Sequence, residues 1–155
     1  MRYVLIGGVA ARLHGSPLHT DDLDLTPDPE PANLERLVAA HADVGAQFRV
    51  GGQDEGVPVP LHPAWFHSLT SATFITEAGL LDVVLRPDGL RGYGPLRASS
   101  QPIEVYGMRV QVAALADIIR SKETADRDKG RAALGTLRAL EQELRGASRD
   151  PPTGS

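Results

Sequence analysis

The 155-residue chain has no cysteine, which rules out a disulfide framework and leaves only histidine and carboxylate to hold a metal. A structural zinc module is therefore disfavoured, and a reducing cytoplasm is the expected compartment. Lysine is nearly as scarce, with Lys122 and Lys129 the only two, so the cationic side chains are otherwise arginine. Aromatic residues make up 5% of the chain. No apolar run approaches the roughly 20 residues that a membrane span needs, and the opening MRYVLIGG is too short an apolar segment for a signal peptide. A formal charge of -4 argues against blanket nucleic-acid binding while leaving room for a local basic patch.

What the chain does have is enough apolar residues, 41%, to bury one modest core. A single domain over 1–146 and a disordered tail over 147–155 are the expected organisation. Tyr3 to Ile6 read as a buried strand, Gly7 and Gly8 turn the chain into a helix over Val9 to His14, and Gly15, Ser16 and Pro17 end it. Ala32 to Val44, behind Pro29 and Pro31, carries Leu34, Leu37, Val38 and His41 at helical spacing. Residues 51–63 read as a loop. Thr73 to Ile75 and Leu80 to Leu85 form a strand pair around Glu77-Ala78-Gly79; a glycine-rich loop follows over 87–95. Ile103 to Tyr106 and Arg109 to Val112 pair around Gly107, and helices are expected from Ala113 to about Ala125 and from Lys129 to Leu144.

The chemistry concentrates near the start. Asp22 and Asp24 alternate with Leu23 and Leu25, the period of a strand with one acidic and one apolar face. Two carboxylates about 6 to 7 Å apart on one strand face repel each other unless a divalent cation, Mg²⁺ or Mn²⁺, lies between them. Gly7 and Gly8, opening a helix, can aim backbone N–H groups at an anion. Asp82 is the lone charge inside an apolar strand and the natural third carboxylate, costly if buried without a partner. The bland rivals are a solvated acidic strand face, an edge-strand charge at Asp82 and a snorkelling Lys122. Asp21 reads as a turn residue pairing with a cation, His14 as a packing histidine, and His62 and His67 do not fit a helical metal pair. Trp65 and Phe66 read as core or lid.

A strand, a glycine doublet, a short helix, the pattern Asp22-Leu23-Asp24-Leu25 and a later strand aspartate together resemble the nucleotidyltransferases of the DNA polymerase beta superfamily. Gly7-Gly8, His14-Gly15, Thr20, Asp22 and Asp24, followed by Ser121-Lys122, Arg127 and Lys129, resemble most closely the AbiEii-like and MenT-like bacterial nucleotidyltransferase toxins. Val9 follows the doublet where many AbiEii-like proteins carry Ser or Thr, and Gly130 follows Lys129 where an aspartate is usual.

The resemblance implies an α+β (α/β) nucleotidyltransferase fold: a small mixed sheet carrying the three aspartates, helices packed on one side and a helical C-terminal segment closing the cleft. It implies an enzyme that moves a nucleoside monophosphate from an NTP to an acceptor hydroxyl with Mg²⁺ or Mn²⁺ as cofactor. The acceptor is tRNA or another RNA in the MenT-like members, which a cognate antitoxin restrains. Asp22, Asp24 and Asp82 would hold metal, Gly7 and Gly8 the triphosphate, and Lys122 and Lys129 the phosphates. Arg127, Lys129 and Arg131 either extend the patch toward a nucleic-acid backbone or, interleaved with Glu123, Asp126 and Asp128, form an ion-paired helix face. A small-molecule nucleotidyltransferase of the antibiotic type and a catalytically degenerate binding protein of the same fold are the alternatives.

Overall fold

The computed structural model describes residues 1–51, 53, 55–58 and 60–147. The chain runs β1 (Tyr3–Ile6), α1 (Gly7–Leu13), β2 (Asp22–Pro27), α2 (Pro31–Asp43), β3 (Gln47–Arg49), β4 (Gly56–Val57), α3 (Trp65–Ser68), β5 (Ser71–Thr76), β6 (Gly79–Val84), α4 (Tyr93–Ser99), β7 (Gln101–Val105), β8 (Met108–Val112), α5 (Leu115–Ala125) and α6 (Asp128–Ala147). The expected tail lies, from residue 148 on, outside the described residues.

Among the described residues all the strands join one mixed sheet in the order β4-β3-β5-β6-β2-β1-β8-β7. Its eight strands make it larger than the small sheet expected. The two parallel pairings, β1 with β8 and β2 with β6, are the ones that join strands distant in the chain. Hairpins account for much of the rest. In β5–β6 a two-residue Glu77-Ala78 connection sets Thr76 opposite Gly79, and Thr76 Oγ1 donates 2.8 Å to the Gly79 carbonyl. In β7–β8 the two-residue loop is Tyr106-Gly107, both at positive φ (49° and 76°), the conformation that matches the strand twist of a tight hairpin.

Alternation along β2 and its neighbours separates two faces, and helices cover both: α2 packs on one, and the C-terminal helical segment closes the cleft on the other, as expected. Leu5, Leu23, Leu25 and Leu81 share one groove with Leu37, Ala40 and His41 of α2. Asp22, Asp24 and Asp82 share the opposite cleft with Ile118 and Lys122 of α5 and Leu137 of α6. The cause is the breadth of the apolar surface: a central strand such as β2 is apolar at Leu23 and Leu25 as well as flanked by the buried Val4 and Ile6 of β1, and each face needs its own cover. Helix α2 is pinned at its start by buried Asn33, whose side chain accepts from the Arg2 amide (2.6 Å) and donates to the Arg2 and Asp28 carbonyls (2.9 Å each).

Two segments read as loops contain regular structure. Helix α4 starts inside the expected loop 87–95, directly after Gly92 (φ 79°), and buries Leu96; Pro95 sits in its first turn, where no intrahelical donor is missed. Within 51–63, β4 pairs with β3 at the sheet edge, too short to leave a periodic signal. Phe66 is core at 1% exposure, whereas Trp65 stands 43% exposed.

Candidate active site

Strand β2 presents Asp22 and Asp24 on one face because its side chains alternate. Strand β6 runs parallel beside it in a register that sets Asp24 opposite Asp82. Each of the three residues offers a carboxylate oxygen within 4.8 Å of the others. They line a cleft of about 580 Å³ floored by the sheet and closed by α5 and α6.

The carboxylates bear on one another unfavourably. Asp24 has its pKa pushed up to about 7, first by burial, then by the charges of Asp22 and Asp82, with Lys122 and the Gly8 amide hydrogen bond pulling it partly back. One oxygen of Asp82, Oδ1, is buried without a hydrogen-bond partner among the described residues. Asp22 Oδ1 accepts 2.6 Å from Thr20 Oγ1, which orients it. Convergent hard oxygen donors, mutual repulsion and an orphaned buried oxygen fit a Mg²⁺- or Mn²⁺-sized divalent cation.

The glycine doublet has a packing reason of its own. Gly7 takes φ 67°, and a Cβ there would overlap the Asp24 carboxylate; one on Gly8 would overlap Thr20. The Gly8 amide is already hydrogen-bonded to Asp24. The doublet thus lets the backbone approach two site residues closely, an additional role that the helix-start argument does not contain.

Lys122 projects into the cleft from α5, and Lys129 lines it from the start of α6. Neither has a carboxylate within ion-pair distance among the described residues. Arg127 lies 4.0 Å from Asp88, and Arg131 is engaged by Asp126 at 2.8 Å and by Asp128. The expected basic patch therefore splits: Arg131 is committed to the ion-paired corner between α5 and α6, while the two lysines remain open to a ligand. His14 is a packing residue, its Nε2–H donating 2.7 Å to the Ala113 carbonyl and its Nδ1 accepting from Gln101 at 3.1 Å. Asp21 pairs at the surface with His19 at 2.6 Å, outside the carboxylate cluster.

No family model matches the chain, and no curated protein matches its sequence. Among solved structures it is similar to the lincosamide antibiotic adenylyltransferase LnuA with lincomycin bound, at a TM-score of 0.57 and 12% identity over 90% of this chain and 87% of that one. The chain has a nucleotidyltransferase fold. A looser likeness, TM-score 0.46 at 14% identity, covers 96% of the chain and 83% of the TM1012 protein from Thermotoga maritima.

Within this fold the cleft also contains residues that the sequence alone does not single out. Thr73 lies opposite Asp82 and Ser71 opposite Val84 on the β5–β6 hairpin, and Arg86 continues the same wall. The signal for Thr73 was present: a turn after Thr76 fixes the hairpin register back to residue 73.

Proposed function

We propose that this protein is a metal-dependent nucleotidyltransferase that joins a nucleoside monophosphate from an NTP to an acceptor hydroxyl and releases pyrophosphate. The observation that carries the reading is the in-register convergence of Asp22, Asp24 and Asp82, with a buried oxygen that has no partner among the described residues, at the floor of a cleft lined by Lys122 and Lys129. Asp22, Asp24 and Asp82 would hold Mg²⁺ or Mn²⁺. When bound, the ion supplies positive charge to the triphosphate and to the charge that develops on it.

The chain's own residues account for the remainder. Lys122 and Lys129 bind phosphate oxygens as point charges, and Lys122 sits close enough to influence Asp24. Gly7 and Gly8 keep the α1 side of the cleft low enough for a triphosphate to lie against the backbone. The acceptor oxygen attacks the α-phosphorus while the bond from that phosphorus to the bridging oxygen breaks, and pyrophosphate leaves with the bonding electrons. The hydroxyl proton passes to the Asp82 carboxylate, which lines the cleft beside Asp24.

On the AbiEii-like and MenT-like resemblance, the acceptor is tRNA and the biological role that of a toxin held in check by an antitoxin. The antibiotic-type reading is favoured by one observation, the match of the fold over most of its length to a lincosamide adenylyltransferase. Transfer of label from each of the four α-³²P NTPs to total tRNA with Mg²⁺, comparing wild type with Asp22→Ala, separates them. Label on tRNA that disappears in the variant is the expected result. No label despite NTP binding turns the search to small-molecule acceptors such as lincosamides, and no NTP binding identifies a degenerate, non-catalytic fold.

A further inference from the structure

The three carboxylates divide the cleft into two walls of different chemistry. On the β1 side stand Gly7, Gly8 and Thr20. On the β5 side stand Thr73, directly across from Asp82, then Ser71, across from Val84, then Arg86. The side chains of Ser71, Thr73 and Arg86 have no hydrogen-bond or ion-pair partner among the described residues. The backbone beneath Arg86 is nevertheless held: the amides of Leu85 and Arg86 both donate to the Thr70 carbonyl, at 2.9 and 3.2 Å. Asp88, two residues on, faces Arg127 at 4.0 Å, which leaves the Arg86 guanidinium unneutralised.

A guanidinium offers a planar pair of donors suited to phosphate, and neighbouring hydroxyls complete an anion cradle without adding charge. Because this wall borders Asp82, the carboxylate that faces the attacking hydroxyl in the proposed reaction, its ligand is the acceptor rather than the NTP. We propose that Arg86, Ser71 and Thr73 form an acceptor subsite that selects an acceptor bearing a phosphate near its reactive hydroxyl. This chemistry is shared by an RNA terminus and a phosphorylated sugar, and it is absent from a neutral small molecule. The inference rests on the nucleotidyltransferase reading and goes beyond it in naming the charge class of the acceptor.

The test uses the full chain with Mn²⁺ and non-hydrolysable analogues of each of the four NTPs, and reads anisotropy of a 5′-fluorescein-labelled 12-nucleotide single-stranded RNA with the analogue that binds. Analogue binding is followed separately by calorimetry. Arg86→Gln is expected to weaken RNA binding about 5- to 10-fold and to lower the slope of log K against log salt by about one, with analogue affinity and melting temperature unchanged. Arg86→Lys restores part of the loss, and Thr73→Val weakens binding about 2- to 5-fold. Unlabelled ribose 5-phosphate that competes as well as unlabelled RNA, at equal phosphate concentration, identifies a phosphorylated small molecule as the source. Competition by RNA alone identifies a polynucleotide. Unchanged RNA affinity in Arg86→Gln, or wild-type binding of neither the RNA nor, by calorimetry, ribose 5-phosphate with analogue binding intact, overturns the subsite and leaves the nucleotidyltransferase reading standing. A parallel loss of analogue affinity in Arg86→Gln also overturns it, by placing Arg86 on the NTP side. If wild type binds none of the four analogues, the nucleotidyltransferase reading fails and the subsite falls with it.

Discussion

Asp24 and Asp82 face one another across the parallel pairing of β2 and β6, and that register, more than either residue's own strand, builds the acidic centre. Burial and two neighbouring carboxylates make the Asp24 charge unfavourable in the metal-free fold. Asp24→Asn is therefore expected to be more stable than wild type in EDTA at pH 8, by on the order of 2 kcal/mol after allowance for partial exposure. Adding Mn²⁺ should raise the melting temperature of wild type and leave that of the variant in place. Equal or lower stability of the variant in EDTA would show that the carboxylates are not in conflict.

Gly7 is locked by two independent constraints, its positive φ and the proximity of Asp24. Gly7→Ala should cost about 1 to 3 kcal/mol, since the backbone penalty adds to displacement of the carboxylate. Transfer activity should fall by at least tenfold at a temperature where circular dichroism shows the variant folded. A variant with wild-type melting and activity would mean that the turn can open without disturbing the site.

Lys122 makes no ion pair among the described residues, though its charge reaches Asp24, and it lines the cleft, so its removal should be felt by substrate more than by the fold. For Lys122→Met the expected melting temperature lies within a few degrees of wild type, with kcat/KM for the NTP reduced about 100-fold. The contrasting case is Arg131→Gln. Its exposed ion pairs with Asp126 and Asp128 contribute about 0 to 1 kcal/mol, and transfer should be unaffected. Steady-state kinetics of the two variants side by side distinguishes the open cation from the committed one.

His41 provides a pH signature on the opposite face of the sheet. It is 2% exposed, its Nδ1–H donates 2.8 Å to the Leu37 carbonyl, and its ring meets Phe74 edge-on at 4.5 Å. Burial lowers its pKa from the ordinary 6.5. The unfolded chain therefore binds a proton that the folded one resists, so the stabilisation is present above pH 6.5 and declines as pH falls below it. Denaturant midpoints measured from pH 8 to 5 should drop more steeply for wild type than for His41→Phe. The raised carboxyl of Asp24 acts in the opposite sense, gaining stability as pH falls, but it is common to both proteins and cancels in the comparison. Parallel profiles would show that His41 is protonated equally well folded and unfolded.

The sequence by itself determined the local pieces of this protein: β1, β2, α2, the β5–β6 hairpin, the terminal helix pair and the acidic alternation at Asp22 and Asp24. Each rests on a side-chain period or a turn residue, and such signals are complete within a few neighbouring positions. It also marked Asp82, because a lone charge in an apolar strand is conspicuous without any knowledge of its neighbours. Only the tertiary structure decided that β6 lies beside β2, parallel and in register, so that Asp82 meets Asp24 and brings Thr73 and Arg86 to the same cleft. Pairing between distant strands is chosen by which apolar faces can be buried together, a condition on the whole chain that no local window contains. The same condition placed helices on both faces of the sheet. It also turned Gly7 and Gly8 from residues that open a helix into residues that make room for Asp24 and Thr20.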